Sequence, residues 1–243
     1  VYQGSNMRRV NGEKVSGDEI REIAIVTRYL PSGGFEMRAV LHIGRLKGWQ
    51  TWKFDIKSAY LWSTLPNSLN IFVQTDRVTE RIICDLMSWN YPTEAVVFPM
   101  ISPIYGFTIS GDLWANLLKL VLEGPGWRML SSLEEHTSQV TFYVHFEVET
   151  GELDGALAIA TDDGALTGTQ VVLDEVMAAL NSHFEFRELS AFSDHERMLG
   201  TVYNDFQQRD GSFCLHTDMR SYLATMVGRV VADDAAQPVD GAS

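Results

Sequence analysis

The sequence predicts an α+β fold in which an antiparallel sheet is backed by helices. Segments that alternate apolar and polar residues, typical of strands, are interspersed with amphipathic segments typical of helices. Their order is strand, helix, strand, hairpin, helix, hairpin, helix. Hydrophobic residues make up 45% of the 243 residues and include 12 Phe and 6 Trp, so the chain can bury a large core. This length accommodates one large domain or two small ones.

Alternation and turn signals place the strands. The dipeptide Asp-Gly favours the tight turns of β-hairpins, and Asp163-Gly164, which lies between apolar stretches, and Asp210-Gly211 are read as such turns. The predicted strands and hairpins are 48–56, 137–149, 156–168 and 201–217.

Amphipathic periodicity and capping residues place the helices, which are predicted at 110–124, 169–184 and 218–227. Ser110 or Asp112 can cap the first helix, and Gly124-Pro125-Gly126 ends it. Asp218 is placed to cap the last helix.

The charge is strongly negative but unevenly distributed. A net charge of −13 argues against a nucleic-acid partner, because phosphates need Lys and Arg. Residues 1–62, however, carry ten Lys/Arg against six Asp/Glu, whereas residues 129–186 carry no Lys or Arg and eleven Asp/Glu. The acidic middle is compatible with a cation site, with a solvated face, or with both.

Several classes of protein fit the sequence poorly. Cys84 and Cys214 are too few for a disulfide framework and lack zinc-ligand spacing, so we expect a reducing, intracellular compartment. No apolar run approaches the roughly 18 residues of a membrane span, and we expect no membrane partner. The chain begins without Met or a signal-peptide core, and we therefore expect a piece of a longer protein.

Three acidic residues stand in apolar surroundings. Asp55 ends the strand 48–56, and Asp162 and Asp163 interrupt the apolar run ALAIATDDGALTG. One interpretation is a simple turn at 162–164. The other is a metal site, since converging carboxylates need cations to offset their repulsion and oxygen ligands favour Mg²⁺ or Mn²⁺. Two such ions are the machinery of in-line nucleotidyl transfer.

Four ordered motifs resemble the reverse transcriptases of copia-type LTR retrotransposons. WKFDIKSAYLWSTL (52–65) resembles their first polymerase motif, and SPIYGFTISGDLW (102–114) their Ala-Leu-Tyr-Gly-Leu motif. LAIATDDGALTG (157–168) resembles their Tyr-Val-Asp-Asp box. The segment 184–227 resembles the region that runs from Phe-x-Met-x-Asp-Leu-Gly to the Gln-x-x-Tyr helix. The resemblance covers roughly residues 35–228.

The resemblance implies an RNA-directed DNA polymerase with palm, fingers and the start of a thumb. It implies that Asp55 and Asp162 ligate two Mg²⁺ or Mn²⁺ ions, with Asp163 as a weaker or indirect ligand. The substrates implied are a dNTP and an RNA or DNA template with its primer.

Further roles follow from the same resemblance. Tyr60 matches the aromatic gate that excludes a ribonucleotide 2′-OH, and Lys57 and Arg38 are candidates for contacts with the triphosphate or the backbone. The turn Met198-Leu199-Gly200 matches the primer grip.

The resemblance also implies a domain order and a cellular setting. Residues 1–48 form a fingers segment and 49–200 the palm, with a further fingers part inserted at about 66–101. Residues 201–228 begin the thumb, and 229–243 are a disordered tail. The remainder of a retrotransposon polyprotein, including integrase and ribonuclease H, lies outside this chain. The location implied is intracellular, in cytoplasmic virus-like particles or the nucleus.

Two alternatives remain open at this stage. Ala160-Thr161 replaces the family's Tyr-Val, and Asp112 stands in the motif that leads into the helix. Together with the net acidity, these changes favour a degenerate, non-catalytic palm that binds a cation or a protein partner. A phospho-acceptor receiver domain also gathers an Asp pair and a lone Asp, but it needs a parallel sheet, which the hairpin at 156–168 contradicts.

Overall fold

The computed structural model describes most of the chain. The described residues are 29–30, 33–66, 71–92, 97–107, 109–130, 139–193, 196–199, 201–207, 213–220 and 223–225. They fall into two compact units. Unit 1 takes its residues from 1–30, 58–121 and 132–139, and unit 2 from 31–57, 122–131 and 140–243.

The described elements include runs of consecutive strands as well as helices, as in α+β folds. The strands are β1 (Tyr29–Leu30), β2 (Gln50–Ile56), β3 (Phe72–Gln74), β4 (Val97–Pro99), β5 (Arg128–Met129), β6 (Gln139–Val140), β7 (Phe142–Phe146), β8 (Leu153–Ala160), β9 (Asp163–Gly168), β10 (Phe186–Ala191), β11 (Glu196–Met198), β12 (Thr201–Gln207) and β13 (Phe213–Asp218). The helices are α1 (Gly34–Lys47), α2 (Arg77–Met87), α3 (Ser110–Glu123) and α4 (Gln170–His183), and Ala59–Trp62 form a 3₁₀ turn.

Unit 2 is built on a six-stranded sheet with the order β10-β2-β9-β8-β7-β5. All of its neighbouring strands pair antiparallel. The strands β11, β12 and β13 form a second antiparallel sheet. The predicted α+β class with an antiparallel sheet backed by helices is therefore confirmed, and the antiparallel pairing of β2 with β9 is incompatible with a receiver domain.

Small residues let α1 pack closely on one face of the large sheet. Met37, Val40 and Leu41 of α1 share a buried core with alanines at 156, 158, 160 and 165. At Gly44, a Cβ atom would lie 2.4 Å from the hydroxyls of Thr51 and Thr167, so the helix approaches the strands where no side chain intervenes. The sequence analysis did not predict α1.

Helix α4 covers the opposite face. Its buried residues are Val172, Leu173, Val176 and Leu180. A Cβ atom at Gly155 of β8 would meet Val172 at 2.9 Å. Because successive strand residues point to opposite faces, Gly155 lies on the other side of the sheet from the alanines beneath α1. The predicted helix at 169–184 is confirmed as this second backing layer.

The hairpin at 156–168 forms, but its turn is not where the Asp-Gly pair indicated. Thr161 and Asp162 make the turn, with Thr161 in the left-handed region at φ 62°. Asp163 and Gly164 are already paired in β9. A Cβ atom at Gly164 would lie 2.1 Å from the ring of Phe54, so glycine is needed here for close packing and not for a turn.

Unit 1 contains a short antiparallel pair, β3 with β4, and α2. Asp76 caps α2 by accepting hydrogen bonds from the backbone N–H groups of Val78 and Thr79. Residues 110–121 of α3 also belong to this unit. The predicted helix over 110–124 is confirmed, and Ser110, one of the two expected caps, is its first residue, with a hydroxyl that donates to the Ile104 carbonyl.

The described residues include only part of the predicted C-terminal hairpin and helix. β12 and β13 pair as the hairpin over 201–217 requires, but the turn at Asp210-Gly211 lies outside the described residues. Arg220 and 223–225 have helical backbone, and Asp218 accepts a hydrogen bond from the Arg220 N–H, as a cap does. The tail at 229–243 is not described. In the described part of the chain, each helix is too short or too polar to span a membrane.

We expect Gly164→Ala to destabilise the chain by about 1–3 kcal/mol, because the added methyl overlaps the Phe54 ring and forces it to move. Urea unfolding measures this change. Gly34→Ala is the matched control, since a Cβ atom there meets no other atom within 4 Å. The packing explanation is wrong if both variants unfold at the same urea concentration as the wild type.

Candidate functional site

Two of the predicted carboxylates face each other across neighbouring strands. Asp55 of β2 and Asp163 of β9 are direct partners in the antiparallel register. Directly opposed residues point to the same face, with Cβ atoms about 4.5–5.5 Å apart. Glu188 of β10 is the partner of Asp55 on its other side. The carboxylates thus follow one another across three strands at one end of the sheet.

The turn brings Asp162 to the same end of the sheet. Its carbonyl oxygen accepts a hydrogen bond of 2.8 Å from the backbone N–H of Ile56, the residue after Asp55. This bond ties the β8–β9 turn to the end of β2. Asp55, Asp162 and Asp163 therefore lie at the same end of the sheet.

The carboxylate cluster shifts the pKa of Asp163. Burial, followed by the negative charges of Asp162 and Asp55, raises the pKa of the Asp163 carboxyl to about 6. The positive charge of Arg187 acts in the opposite direction. A raised pKa caused by burial and by like charges is a frequent property of functional carboxylates.

Arg187 is a site residue that the sequence analysis missed. Its Nη1 lies 2.9 Å from Oδ2 of Asp55. The register of β10 on β2 shifts between Phe186 and Glu188, so Arg187 is the extra residue of a β-bulge, and bulges redirect side chains beside functional sites. The sequence contained one indication of its role: residues 129–186 have no Lys or Arg, and Arg187 is the first basic residue after them.

The second carboxylate oxygen of Asp55, Oδ1, is not bonded to Arg187. Oδ1 is buried and has no hydrogen-bond partner among the described residues. An uncompensated buried carboxylate oxygen is costly, and a bound cation would satisfy it. The paired carboxylate oxygens at this edge are the hard ligands that Mg²⁺ and Mn²⁺ prefer.

The side chains as placed do not form a complete metal centre. Within the described ranges, no group of three or more His, Cys, Asp or Glu side chains is arranged to hold a metal ion. The donor chemistry of Asp55 and Asp163 fits a divalent cation, while Arg187 occupies one of the four carboxylate oxygens. Arg187 holds Oδ2 of Asp55, so Oδ1 of Asp55 and the Asp163 carboxylate are the oxygen donors left for a cation.

Two further basic residues form ion pairs with glutamates near this end of the sheet. Lys53 pairs with Glu188 at 2.7 Å, and Lys57 pairs with Glu185 at 2.9 Å. The backbone N–H of Lys57 also donates to the Glu185 carbonyl. Lys57, a predicted substrate contact, is exposed directly after β2 and so lies close along the chain to Asp55.

The remaining predicted residues are spread over the fold. Tyr60 belongs to unit 1, where its ring lies 4.7 Å from that of Tyr105. Arg38 is exposed on α1, and its charge lowers the pKa of Tyr203 against the larger, raising effect of burial. Met198 is buried in the core beneath α1, Leu199 has a left-handed backbone with φ 48°, and Gly200 is not described.

Comparison with known proteins gives one distant likeness. No protein-family model and no curated protein matches the sequence. Among solved structures, the chain is similar to apo telomerase from Candida tropicalis truncated from its C-terminal domain, with a TM-score of 0.43 and 11% sequence identity. The alignment covers 83% of this chain and 45% of the telomerase chain, so the chain spans less than half of that protein's length.

We expect the charge cluster to make stability depend on pH. The folded-state pKa of Asp163, about 6, lies above its unfolded value near 3.8, so folding is favoured most when the group is protonated. The free energy of unfolding should therefore fall as pH rises from about 4 to about 6. Because the side chain is only half buried, we expect about 1 kcal/mol after solvent screening.

Urea unfolding in EDTA at pH 4.5 and pH 7 measures this effect against Asp163→Asn. The variant should lack the decrease and be more stable than the wild type at pH 7. Asp174→Asn, at an exposed position on α4, is the control and should keep the wild-type slope. Equal slopes for the wild type and Asp163→Asn would contradict the electrostatic account.

Proposed function

We propose that this chain is the RNA-directed DNA polymerase domain of a copia-type retrotransposon, with a palm, fingers and the start of a thumb. In this proposal it transfers a nucleotide from a dNTP to a primer 3′-OH on an RNA or DNA template. The observation that carries the proposal is the register pairing of Asp55 with Asp163, with Asp162 in the turn bonded to the end of β2. These three are the carboxylates that the sequence motifs single out.

In this mechanism the paired strands β2 and β9 position two of the carboxylates. Asp55 and Asp163 are held on adjacent central strands, so their separation does not depend on loop conformation. Asp55 and Asp162 are the main ligands for two Mg²⁺ or Mn²⁺ ions, and Asp163 is the weaker one. The chemistry that two such ions supply is activation of the attacking hydroxyl and charge stabilisation of the leaving oxygen.

Basic and aromatic residues complete the proposed site. Arg187 neutralises Asp55 in the absence of a cation, which limits the cost of the charge cluster. Lys57 and Arg38 contact the substrate phosphates, Tyr60 excludes the ribose 2′-OH, and Met198-Leu199-Gly200 grips the primer. The proposed setting is intracellular, in virus-like particles or the nucleus, alongside integrase and ribonuclease H.

Primer extension on poly(rA)–oligo(dT) at low salt with Mg²⁺ or Mn²⁺ tests the proposal. We expect extension by the wild type and a loss of about 100-fold or more in Asp162→Asn, since removal of a ligand weakens ion binding. Asp174→Asn is the matched control and should extend normally. Extension by Asp162→Asn at the wild-type level would refute the assignment of these residues.

One observation favours a second candidate function. The described side chains do not complete a three-ligand centre, and Arg187 already neutralises Asp55. Such a site suits a palm that has lost catalysis and binds a single cation or a protein partner. The net charge of −13 also favours the non-catalytic palm, because a polymerase must attract the phosphates of its template.

Binding of a fluorescent primer–template separates the two functions. If the chain is a non-catalytic remnant, we expect weak binding at low salt with little dependence on salt concentration, together with cooperative unfolding that shows an intact fold. Tight binding that weakens steeply between 50 and 200 mM salt, on the order of 10³-fold for a protein making several phosphate contacts, would contradict the remnant and favour the polymerase.

A further inference from the structure

Helix α2 of unit 1 presents apolar side chains to solvent. Val78, Ile82 and Leu86 follow one another at intervals of four residues, so they form a stripe along one face of the helix. Their exposed fractions are 69%, 54% and 78%. Just beyond the end of the helix, Trp89 is a further apolar side chain that is 52% exposed. Single exposed apolar residues are ordinary, but a contiguous apolar patch is typical of an interaction surface.

The inner side of α2 buries a charged side chain while the apolar stripe faces outward, which reverses the usual arrangement of a surface helix. Its buried residues are Glu80 and Cys84. The Glu80 side chain is 4% exposed, and its Oε2 lies 3.0 Å from Nη1 of Arg77. Separating a buried carboxylate from its partner is costly, so this pair holds the helix in the orientation that turns the stripe outward.

Both ends of α2 are fixed by capping. Asp76 caps the first turn, as described above. At the other end Ser88 has a left-handed backbone with φ 54°, and the N–H of Trp89 donates to the Cys84 carbonyl at 2.8 Å. The stripe is therefore carried by a preformed helix of 11 residues, which is about 16 Å long at 1.5 Å per residue. A preformed surface loses little conformational entropy when it binds.

Two residues of opposite charge line one edge of the stripe. With about 3.6 residues per turn, the exposed residues Arg81 and Asp85 lie one turn apart on that edge. The opposite edge carries Thr79 and Ile83. The Tyr91 hydroxyl donates to Oδ1 of Asp85, which holds the carboxylate in place.

This pattern of charges is complementary to itself. A two-fold axis perpendicular to α2 relates two antiparallel helices so that the same edge of each faces its counterpart in the reverse direction. With the axis near Ile82, Arg81 of one copy and Asp85 of the other come within roughly 3 Å of each other along the helix direction. A parallel arrangement would place the charged edge against the edge of Thr79 and Ile83, so the charges favour the antiparallel one.

We propose that the outer face of α2 binds a second copy of this chain in an antiparallel, two-fold symmetric dimer. Val78 of each copy packs on Leu86 of the other, the two Ile82 side chains meet at the axis, and two pairs of Arg81 with Asp85 flank the apolar contact. Because each copy contributes one short helix, we expect a weak dimer with a Kd on the order of 10–100 μM. The dimer does not depend on the function proposed for the carboxylates.

Sedimentation equilibrium of the full chain at concentrations from about 5 to about 500 μM measures the dimer. We expect reversible self-association of the wild type at low salt. Ile82→Ser should weaken it at least tenfold, because the apolar side chain at the axis is lost from both copies. Leu120→Ser is the matched control, since Leu120 is 72% exposed on α3 in the same unit, and it should associate as the wild type does.

Charge reversal tests the antiparallel geometry. Arg81→Glu and Asp85→Arg each place two pairs of like charges across the interface, so each should weaken dimerisation at least threefold. An equimolar mixture of these two variants should form a heterodimer with about the wild-type affinity, because every pair then joins opposite charges. The effects of charge reversal should shrink at about 0.5 M salt, whereas that of Ile82→Ser should persist. Glu175→Arg, at an exposed position on α4, is the control for a change of charge.

Each outcome supports or overturns the dimer. Thermal unfolding verifies the fold of every variant, and the salt dependence of Arg81→Glu provides the charge test if Asp85→Arg does not fold. The proposal is overturned if the wild type stays monomeric at the highest concentration, or if Ile82→Ser and Leu120→Ser weaken association equally. It is also overturned if the mixture of charge variants associates no more tightly than either variant alone.

Discussion

The repulsion between Asp55 and Asp163 is the constraint on which the end of the large sheet depends. Two carboxylates opposed on neighbouring strands destabilise a sheet unless a positive charge or a proton compensates. Arg187 supplies the positive charge, whereas protonation of Asp163 compensates only where the pH is below about 6. Arg187 reaches Asp55 from a β-bulge, and the pKa of Asp163 is raised to about 6. The sheet thus maintains an arrangement of like charges that lowers its own stability.

Small residues make this arrangement possible. Alanines in β8 and β9 allow α1 to pack tightly on the sheet, and Gly164 admits the ring of Phe54 beside the acidic pair. Close packing on both faces fixes β2 and β9 in register up to the point where the carboxylates meet. Asp55 and Asp163 are consequently carried by paired strands, and Asp162 by the turn that follows β8.

The sequence by itself determined the α+β class, the strand before Asp55, the hairpin around Asp162 and the helices α3 and α4, because local periodicity encodes these features. It placed the turn at Asp163-Gly164 by turn chemistry, whereas both residues are paired in β9 and Gly164 packs against Phe54. Only the tertiary structure decided which residues oppose Asp55 and that a bulge brings Arg187 to it. These features join residues far apart in the chain, and pairing register and packing, which local sequence does not encode, determine them.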